Sequence, residues 1–506
     1  MGEREGNISY WVATTPETSF PSYRGGDLEV DVAVLGGGIT GLTTALLLQQ
    51  AGASVAVVEA GRLACGVTGY TTAKVTSLHG LTYAKLTSTL GAQGARAYGE
   101  ANQAGLELIA RLVEQLGIAC DFERLPAFTY TEDPLRVSAI EEEVEAAQQA
   151  GLPASFGSEI GLPFPVQGAV RFEGQAQFHP RRFCLGLAEA IDAGGGQVFE
   201  QTRALNIRPG APCTVKTEHG PLRADHVVVA THLPFLDPAG LFAKTSPSRS
   251  YAAVVTLAEP APPGMYLSAD AATRSIRPLI AGGNQAVLAG EEHKSGHGRD
   301  TRAHYQALEA WARERFPVRS VDYRWSAQDY LPADNVPYIG RLIPGYGRLH
   351  VATGFKKWGM TNSAVAASLL CDQITGRPNP WSELFRATRL RPFASAKELA
   401  AHNLDVGLRF AGDRLLSLRP PPARDLAPGQ AGIRQLDGEK VAAYRDEDGR
   451  LHAVSGRCTH LGCLVAWNAA ERTWDCPCHG SRYTYEGKVI QGPAVKNLPP
   501  KELDQA

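Results

Sequence analysis

The stretch VDVAVLGGGITGLTTALLLQQAGASVAVVE, residues 30–59, decides the fold of the larger part of this chain. An apolar run of strand length at 30–35 leads into a glycine-rich turn. A helix-compatible run at 40–50 follows, and then a second strand-like run at 54–58. Two strands joined by a helix pair in parallel, so this β-α-β unit predicts a doubly wound α/β sheet.

The turn in this unit carries the spacing of a dinucleotide site. Gly36, Gly38 and Gly41 follow the first strand, where glycines allow a tight turn and let backbone N–H groups approach a pyrophosphate at the helix N-terminus. Glu59 ends the second strand, placed to accept hydrogen bonds from an unphosphorylated ribose. These residues predict dinucleotide binding.

Length and charge limit the other possibilities. The 506 residues exceed what one hydrophobic core usually serves, so we expect at least two domains. A formal net charge of −2 gives no support to a nucleic-acid or membrane-surface partner. No signal peptide is recognised, and no apolar run approaches the roughly 18 residues of a membrane helix. We therefore expect a soluble, cytoplasmic protein without a transmembrane segment.

The character of the chain changes near its C-terminal fifth. Residues 396–416 have the pattern of an amphipathic connecting helix, and the Arg419-Pro-Pro-Pro422 spacer follows. Beyond it, Asp437-Gly438 and Asp448-Gly449 are strong hairpin signals between short alternating strands. A small all-β domain is predicted.

Two loops of this domain each offer one thiolate and one imidazole. They read Cys458-Thr-His460-Leu-Gly-Cys463 and Cys476-Pro-Cys478-His479-Gly-Ser481. Such a set can hold zinc or a [2Fe–2S] cluster with two thiolates on one iron and two imidazoles on the other. One ligand of each kind per loop, in all-β surroundings, favours the cluster over a zinc finger.

The two loops resemble those of Rieske domains over roughly residues 424–500. The resemblance implies that Cys458 and Cys476 ligate one iron, with His460 and His479 on the other. It also implies a disulfide between Cys463 and Cys478, as in Rieske proteins of respiratory cytochrome bc complexes. Further matches are hydroxyl donors to cluster sulfur at Ser481 and Tyr483, and a covering proline loop at 492–494.

The larger part resembles flavoenzymes of the D-amino-acid oxidase, glycine oxidase and sarcosine oxidase family over roughly residues 8–390. The segments Gly61-Arg62 through Gly66-VTGYTTA-Lys74 and Val351-ATGFKKWGM-Thr361 carry this resemblance. It implies an FAD-binding, Rossmann-like domain with an antiparallel-sheet substrate domain. The cofactor-binding residues it implies are Gly36, Gly38, Gly41, Glu59, Arg62, Thr71, Thr72, Gly354, Lys357, Gly359, Met360 and Thr361.

The expected domain boundaries follow from these resemblances. The oxidoreductase part covers 1–390, with a linker helix and Pro-rich spacer at 391–423 and the Rieske domain at 424–506. The FAD-binding segments are about 28–115, 176–240 and 335–385. The substrate-domain segments are about 116–175 and 241–334.

The sequence departs from the flavoenzyme pattern in two ways. Tyr70 stands where dimethylglycine-dehydrogenase-like members have a flavin-linking histidine, so we expect non-covalent FAD. The stretch from Ala286 to His293 lacks the lysine that helps oxygen react with flavin in sarcosine oxidases. This departure weakens the oxidase interpretation and favours electron transfer.

The residues that contact the substrate are poorly defined by sequence. Lys357, Arg277 and His79 are candidates, and a salt-bridged or core role is an alternative for each. The polar-aromatic stretch 323–330 either lines the pocket or packs between domains.

The sequence therefore predicts an FAD-dependent dehydrogenase for an amine or amino-acid-like substrate. Electrons would pass from reduced flavin through the Rieske cluster to an unidentified external acceptor. The alternatives are an oxygen-using amine oxidase with a structural cluster, and a non-enzymatic redox sensor.

Overall fold

The computed structural model describes residues 7–298, 300–391, 399–400, 403–408 and 420–501. The strands up to residue 353 are, in chain order, β1 Glu29–Leu35, β2 Val55–Val58, β3 Lys74–Val75, β4 Glu123–Thr131, β5 Ala154–Gly157, β6 Gly168–Gln177, β7 Gln197–Phe199, β8 Ala204–Arg208, β9 Cys213–Thr217, β10 Gly220–Val229, β11 Thr245–Leu257, β12 Met265–Ser268, β13 Arg274–Pro278, β14 Gln285–Lys294, β15 Val318–Pro332, β16 Tyr338–Ile343 and β17 Tyr346–Thr353.

Helices connect and flank these strands. The α-helices up to residue 385 are α1 Tyr10–Ala13, α2 Ile39–Gln50, α3 Tyr83–Leu116, α4 Val137–Gln149, α5 Pro180–Ala193, α6 Leu241–Lys244, α7 Arg302–Arg315, α8 Gly359–Thr375 and α9 Ser382–Phe385. The long helix α3 has a kink at Gly91. No helix in the described ranges is long and apolar enough to cross a membrane.

The first sheet has the strand order β16-β17-β10-β1-β2-β7, with β9 on β10 and β8 on β9. β1 pairs in parallel with both β2 and β10, and β10 pairs in parallel with β17. The β1-α2-β2 unit therefore has the predicted parallel geometry, and the carboxyl ends of β1, β2, β10 and β17 lie along one edge. Ligands of doubly wound sheets bind at this edge.

The second sheet has the strand order β15-β11-β14-β13-β12-β4-β6-β3, with β5 on β6. Its neighbours are antiparallel apart from the parallel pair β12 and β4. β11 and β15 pair along nearly their whole length, from Thr245↔Pro332 to Leu257↔Val318. This sheet faces the ligand edge of the first one.

Two small antiparallel sheets form the C-terminal part, the first being β18 Ala431–Leu436, β19 Glu439–Arg445 and β20 Leu451–Ser455. The second is β21 Ala466–Asn468, β22 Thr473–Asp475, β23 Arg482–Thr484 and β24 Val489–Gln491. The Asp437-Gly438 signal is confirmed as a two-residue hairpin, because Leu436 pairs with Glu439.

The predicted fold class is confirmed for all three parts. The expected connecting helix at 396–416 lies largely outside the described residues. The described parts of it, 399–400 and 403–408, are helical. The boundaries at 391 and 424 stay predictions.

Candidate functional site

A cavity of about 830 Å³ lies between the ligand edge of the first sheet and the face of the second. At one end it is lined by Gly36, Gly38 and Glu59, and at the other by the segment from Phe355 to Met360. The glycine motif and the late segment, more than 300 positions apart in sequence, therefore share one cavity.

The glycine end has the shape of a dinucleotide cradle. Gly36 has a φ of +113°, a left-handed conformation that favours glycine. A Cβ on Gly41 would lie 1.9 Å from the carbonyl oxygen of Gly36, so α2 and the turn approach each other closely only with glycine there. The Glu59 carboxylate accepts the N–H groups of Gly37 at 2.8 Å and Gly61 at 2.7 Å, while burial raises its pKa. These residues fit the dinucleotide that the sequence predicts.

Eight of the twelve predicted flavin-binding residues line this cavity: Gly36, Gly38, Glu59, Thr71, Thr72, Lys357, Gly359 and Met360. The other four are held beside it. Arg62 pairs with Glu200 at 2.8 Å, and Thr361 donates to the carbonyl oxygen of Thr76 at 3.1 Å. Gly41 and Gly354 are needed for the backbone conformation. Gly41 packs on Gly36, and Gly354 takes a φ of +75°.

The three candidate substrate residues are placed differently from one another. Lys357 lines the cavity, where its Nζ lies 2.9 Å from Glu292 and 2.7 Å from Ser250. Burial lowers its pKa against the opposing effect of Glu292.

His79 and Arg277 are engaged elsewhere. His79 touches the cavity, but its Nδ1 lies 2.7 Å from the Tyr98 hydroxyl and its Nε2 2.8 Å from the Thr76 carbonyl. Burial lowers its pKa to about 3, so it stays neutral. Arg277 is not among the lining residues, because it donates to the carbonyl of Thr72 and to Gln177 and packs on Trp11. Hydrogen bonds within the protein thus occupy both side chains, and a substrate contact by either of them stays a prediction.

The second sheet contributes a residue that the sequence reasoning did not single out. Lys74, on β3, lines the cavity and donates to the Tyr266 carbonyl and, at 2.6 Å, to the Ser275 hydroxyl. Burial and the nearby charge of Arg277 lower the pKa of Lys74 to about 7. Its place two residues after Thr72 was visible in the sequence, but its burial was not.

The cluster loops meet in the small domain. Cys458, Cys476 and His479 are buried, and the rings of His460 and His479 lie 5.1 Å apart at 88°. The structure brings together all four predicted ligands.

The donor chemistry of this set fits an iron–sulfur cluster. Nδ1 of His460 is buried and has no hydrogen-bond partner among the described residues, as expected of an imidazole nitrogen reserved for a metal. Hydrogen bonds lower the pKa of Cys458 to about 6, which favours a thiolate. The bond with Cys476 has the larger effect and the bond with Tyr483 the smaller one.

The surroundings of the ligands agree with the Rieske resemblance. Cys463 and Cys478 form a disulfide with a Cα–Cα distance of 6.6 Å, which ties the two loops together. The Tyr483 hydroxyl lies 3.2 Å from Sγ of Cys458. The Ser481 hydroxyl accepts the amide of Ala494 at 3.1 Å and thereby holds the proline loop. Cys463, Cys476 and Cys478 lie close enough for a metal, but two of these sulfurs belong to the disulfide.

The small domain also contributes to the wall of the larger cavity. Residues 471–473, 482, 484–486, 488 and 490–495 form part of its wall, including Gln491 and Pro493. Arg249 on β11 forms a buried ion pair with Asp475 at 3.0 Å, with the two side chains 0% and 2% exposed. Although burial opposes ionisation of Asp475, Arg249 and Arg482 hold its pKa at about 2.

The stretch 323–330 on β15 serves both functions that the sequence left open. Ser326, Ala327, Gln328 and Asp329 line the cavity. Gln328 and Tyr330 also donate to backbone carbonyls of the second cluster loop, at 2.8 Å to Gly480 and 2.9 Å to His479.

Comparison with known proteins supports the interpretation of both parts of the chain. Residues 31–373 match the family model described as FAD dependent oxidoreductase, and residues 420–502 match that of the Rieske [2Fe-2S] domain. The chain is 37% identical over 506 residues to "Putative Rieske 2Fe-2S iron-sulfur protein YhfW" of Bacillus subtilis (strain 168), covering 99% of each chain. It is 25% identical over 396 residues to gamma-glutamylputrescine oxidoreductase of Escherichia coli (strain K12), covering 74% of this chain and 90% of the relative.

A solved structure supports the same fold. The crystal structure of glycine oxidase from Geobacillus kaustophilus superposes with a TM-score of 0.62 at 19% identity, covering 72% of this chain and 99% of that one. The predicted cofactors, FAD and a Rieske-type [2Fe–2S] cluster, are thereby confirmed. The chain belongs to the FAD dependent oxidoreductase family and carries a Rieske [2Fe-2S] domain in its C-terminal part.

Proposed function

We propose that this FAD-dependent oxidoreductase is a dehydrogenase of C–N bonds in amines or amino acids, and that its electrons leave through the Rieske cluster to an external one-electron acceptor. The observation that carries the proposal is the shared cavity, whose wall contains both the glycine motif and the proline loop of the Rieske domain. A flavin held there would lie against the domain that holds the cluster.

The contact between the two halves is of a kind that holds a fixed geometry. A buried ion pair, Arg249 with Asp475, is supported by donation from Asn468 to Asp475 at 2.9 Å. Removing one partner of such a pair leaves a buried charge, so the arrangement resists separation. The contact would keep the two cofactor sites at a constant separation, which suits electron transfer within one chain.

The substrate end offers a proton acceptor. When bound, FAD supplies the acceptor for the hydride that leaves the carbon next to nitrogen. That transfer requires a neutral amine, while a free amine is an ammonium ion near pH 7. Lys74 lines the cavity with a pKa near 7, so we assign it the role of taking the proton from the substrate ammonium.

The polar groups on the opposite wall would orient the substrate. Glu292, Lys357 and Ser250 form a connected set at the cavity surface, with a carboxylate for a cationic group and an ammonium for an anionic one. The relative named gamma-glutamylputrescine oxidoreductase supports an amine donor.

Anaerobic titration of the purified holoprotein with amines and amino acids tests the donor class. Bleaching of the flavin absorbance by members of either group is the expected result. Bleaching by neither group, in protein whose flavin dithionite reduces normally, would contradict the assignment to C–N donors.

Loss of the cluster tests the exit route. In His479→Ala, anaerobic flavin reduction should continue near the parental rate, while turnover with a one-electron acceptor should collapse and a small acceptor that reacts with flavin should rescue it. Full turnover in this variant, or rapid oxygen consumption by the parent, would instead favour an oxidase with a structural cluster.

A further inference from the structure

Strand β15 contacts both cofactor sites through successive residues. Asp329 lines the cavity, and the next residue, Tyr330, lies in the interface with its side chain 1% exposed. The Tyr330 hydroxyl donates to the carbonyl oxygen of His479 at 2.9 Å. Tyr330 thus contacts the backbone of a predicted iron ligand directly.

The main chain of the same residue bonds to the flavin side. The N–H of Lys356 donates to the carbonyl oxygen of Tyr330 at 3.1 Å. Lys356 belongs to the segment before α8 that lines the cavity. A continuous series of covalent and hydrogen bonds therefore runs from Lys356 through Tyr330 to His479.

We infer that Tyr330 couples the flavin site electronically to the cluster. The inference rests on the proposed function and specifies the route by which electrons pass from the flavin to the cluster. Each substrate oxidation delivers two electrons, which cross in two one-electron transfers. Each transfer converts one ferric iron to ferrous iron, and the one-electron acceptor restores it before the next, while protons from the reduced flavin leave to solvent. Coupling through bonds and hydrogen bonds exceeds coupling across a gap, so we expect electrons to cross faster through Tyr330 than across unbonded contacts.

The second cluster loop packs closely against Tyr330 and its neighbour Gln328. A Cβ on Gly480 would lie 2.4 Å from Nε2 of Gln328 and 3.0 Å from the Tyr330 hydroxyl. The ring of His232 lies 4.6 Å from that of Tyr330 on another side. The cluster loop therefore approaches Tyr330 as closely as a glycine permits.

A neighbouring series of hydrogen bonds reaches the Rieske domain without reaching a ligand. The N–H of Lys357 donates to Asp329, whose other oxygen lies 2.9 Å from Nε2 of His232. Nδ1 of His232 lies 2.8 Å from Nε2 of Gln491, beside the proline loop. This series holds the covering loop in place. Because it ends at Gln491 and not at an iron ligand, we assign the coupling to Tyr330 and not to this series.

The test compares Tyr330→Phe with a matched interface variant, Tyr305→Phe. Tyr305 also donates one hydroxyl across the interface, at 2.8 Å to Glu471, which lies outside both ligand loops. In holoprotein of equal flavin and iron content, the rate of cluster reduction after anaerobic substrate addition is followed by EPR. The reduction potential of the cluster is titrated alongside.

Tyr330→Phe should slow cluster reduction by about tenfold, the lower end of what outer partners of metal ligands contribute. Its cluster potential should fall, because a donor to the ligand loop is lost, and flavin reduction by substrate should stay parental. Tyr305→Phe should match the parent in all three measurements. Tyr330→Leu, which also removes the ring, should be at least as slow as Tyr330→Phe.

Parental rate and potential in Tyr330→Phe would overturn the assignment, and so would equal slowing in Tyr305→Phe. Loss of iron from Tyr330→Phe alone would show that the residue holds the ligand loop, which also overturns it. If His479→Ala abolishes turnover while Tyr330→Phe is parental, the route is wrong and the proposed function stands. If His479→Ala keeps full turnover, the proposed function itself fails.

Discussion

The four predicted cluster ligands all fall between residues 458 and 479, whereas the residues that line the flavin cavity come from positions between 7 and 495. The first site is a local motif, completed within two loops and tied by the disulfide of Cys463 and Cys478. The second is assembled by long-range folding, and its wall is completed by the domain that carries the first. The two sites are therefore independent in sequence but share a boundary in space.

Removing one iron ligand gives the largest expected effect and tests that independence. His460→Ala should lose its cluster and keep FAD, because the glycine motif and Glu59 lie in the other domain. Iron content, the EPR signal and flavin released by acid measure both outcomes, and the last checks that FAD is not covalently linked.

Leu461→Ala, at the exposed residue beside that ligand, should keep both cofactors. Loss of FAD in step with iron from His460→Ala would show that the two sites are not separable.

Breaking the buried ion pair tests the shared boundary. Arg249→Met leaves Asp475 with Arg482 as its remaining cation and should lower the free energy of unfolding by about 3 kcal/mol. Urea unfolding measures the change.

Arg171→Met is the matched control, because Arg171 pairs with Glu173 at the surface, where a pair contributes about 1 kcal/mol or less. Equal losses in the two variants would mean that the interface pair is not special.

Lys74 gives a test confined to the flavin side. Its pKa of about 7 means that the amine becomes neutral as pH rises through 7, so the rate of flavin reduction should rise across this range. Lys74→Met should lose that limb and slow reduction by about 100-fold. Stopped-flow reduction between pH 6 and 9 measures both.

Folding stability gives a second readout of the same lysine. The pKa in the folded protein lies below its usual value of about 10.4, so the unfolded chain binds more protons in between. The parent should therefore gain stability from pH 7 towards pH 10, and Lys74→Met should lack this contribution. If the rate of flavin reduction in Lys74→Met still rises with pH as in the parent, Lys74 does not take the proton from the substrate.

The smallest expected effect concerns the cluster alone. Tyr483→Phe removes the hydroxyl 3.2 Å from Sγ of Cys458, a hydrogen bond of about 1 kcal/mol that favours the reduced cluster. The potential should fall by roughly 40 mV for a one-electron couple. A potentiometric EPR titration measures it, with the flavin potential as an internal control that should not move.

The features that could be predicted from the sequence are those that depend on residues close together in the chain. The β1-α2-β2 unit, the hairpin at Asp437-Gly438 and the ligand loops all depend on neighbouring residues, and the structure contains each of them. The roles of Arg277 and Lys74 were not accessible in this way. Both are basic residues of the second sheet, and which of them faces the cavity depends on the packing of Trp11 and Gln177 against Arg277.

The shared wall of the cavity also bears on the order of biosynthesis. Asn7 donates to the carbonyl oxygen of Ala470 at 3.3 Å, a partner 463 positions later in the chain. On the ribosome, the cradle at Gly36 emerges long before residues 471–495 are translated, so the nascent flavin domain presents an open cleft to free FAD. We expect FAD to enter at this stage, before the finished Rieske domain docks and adds residues 471–495 to the cavity wall.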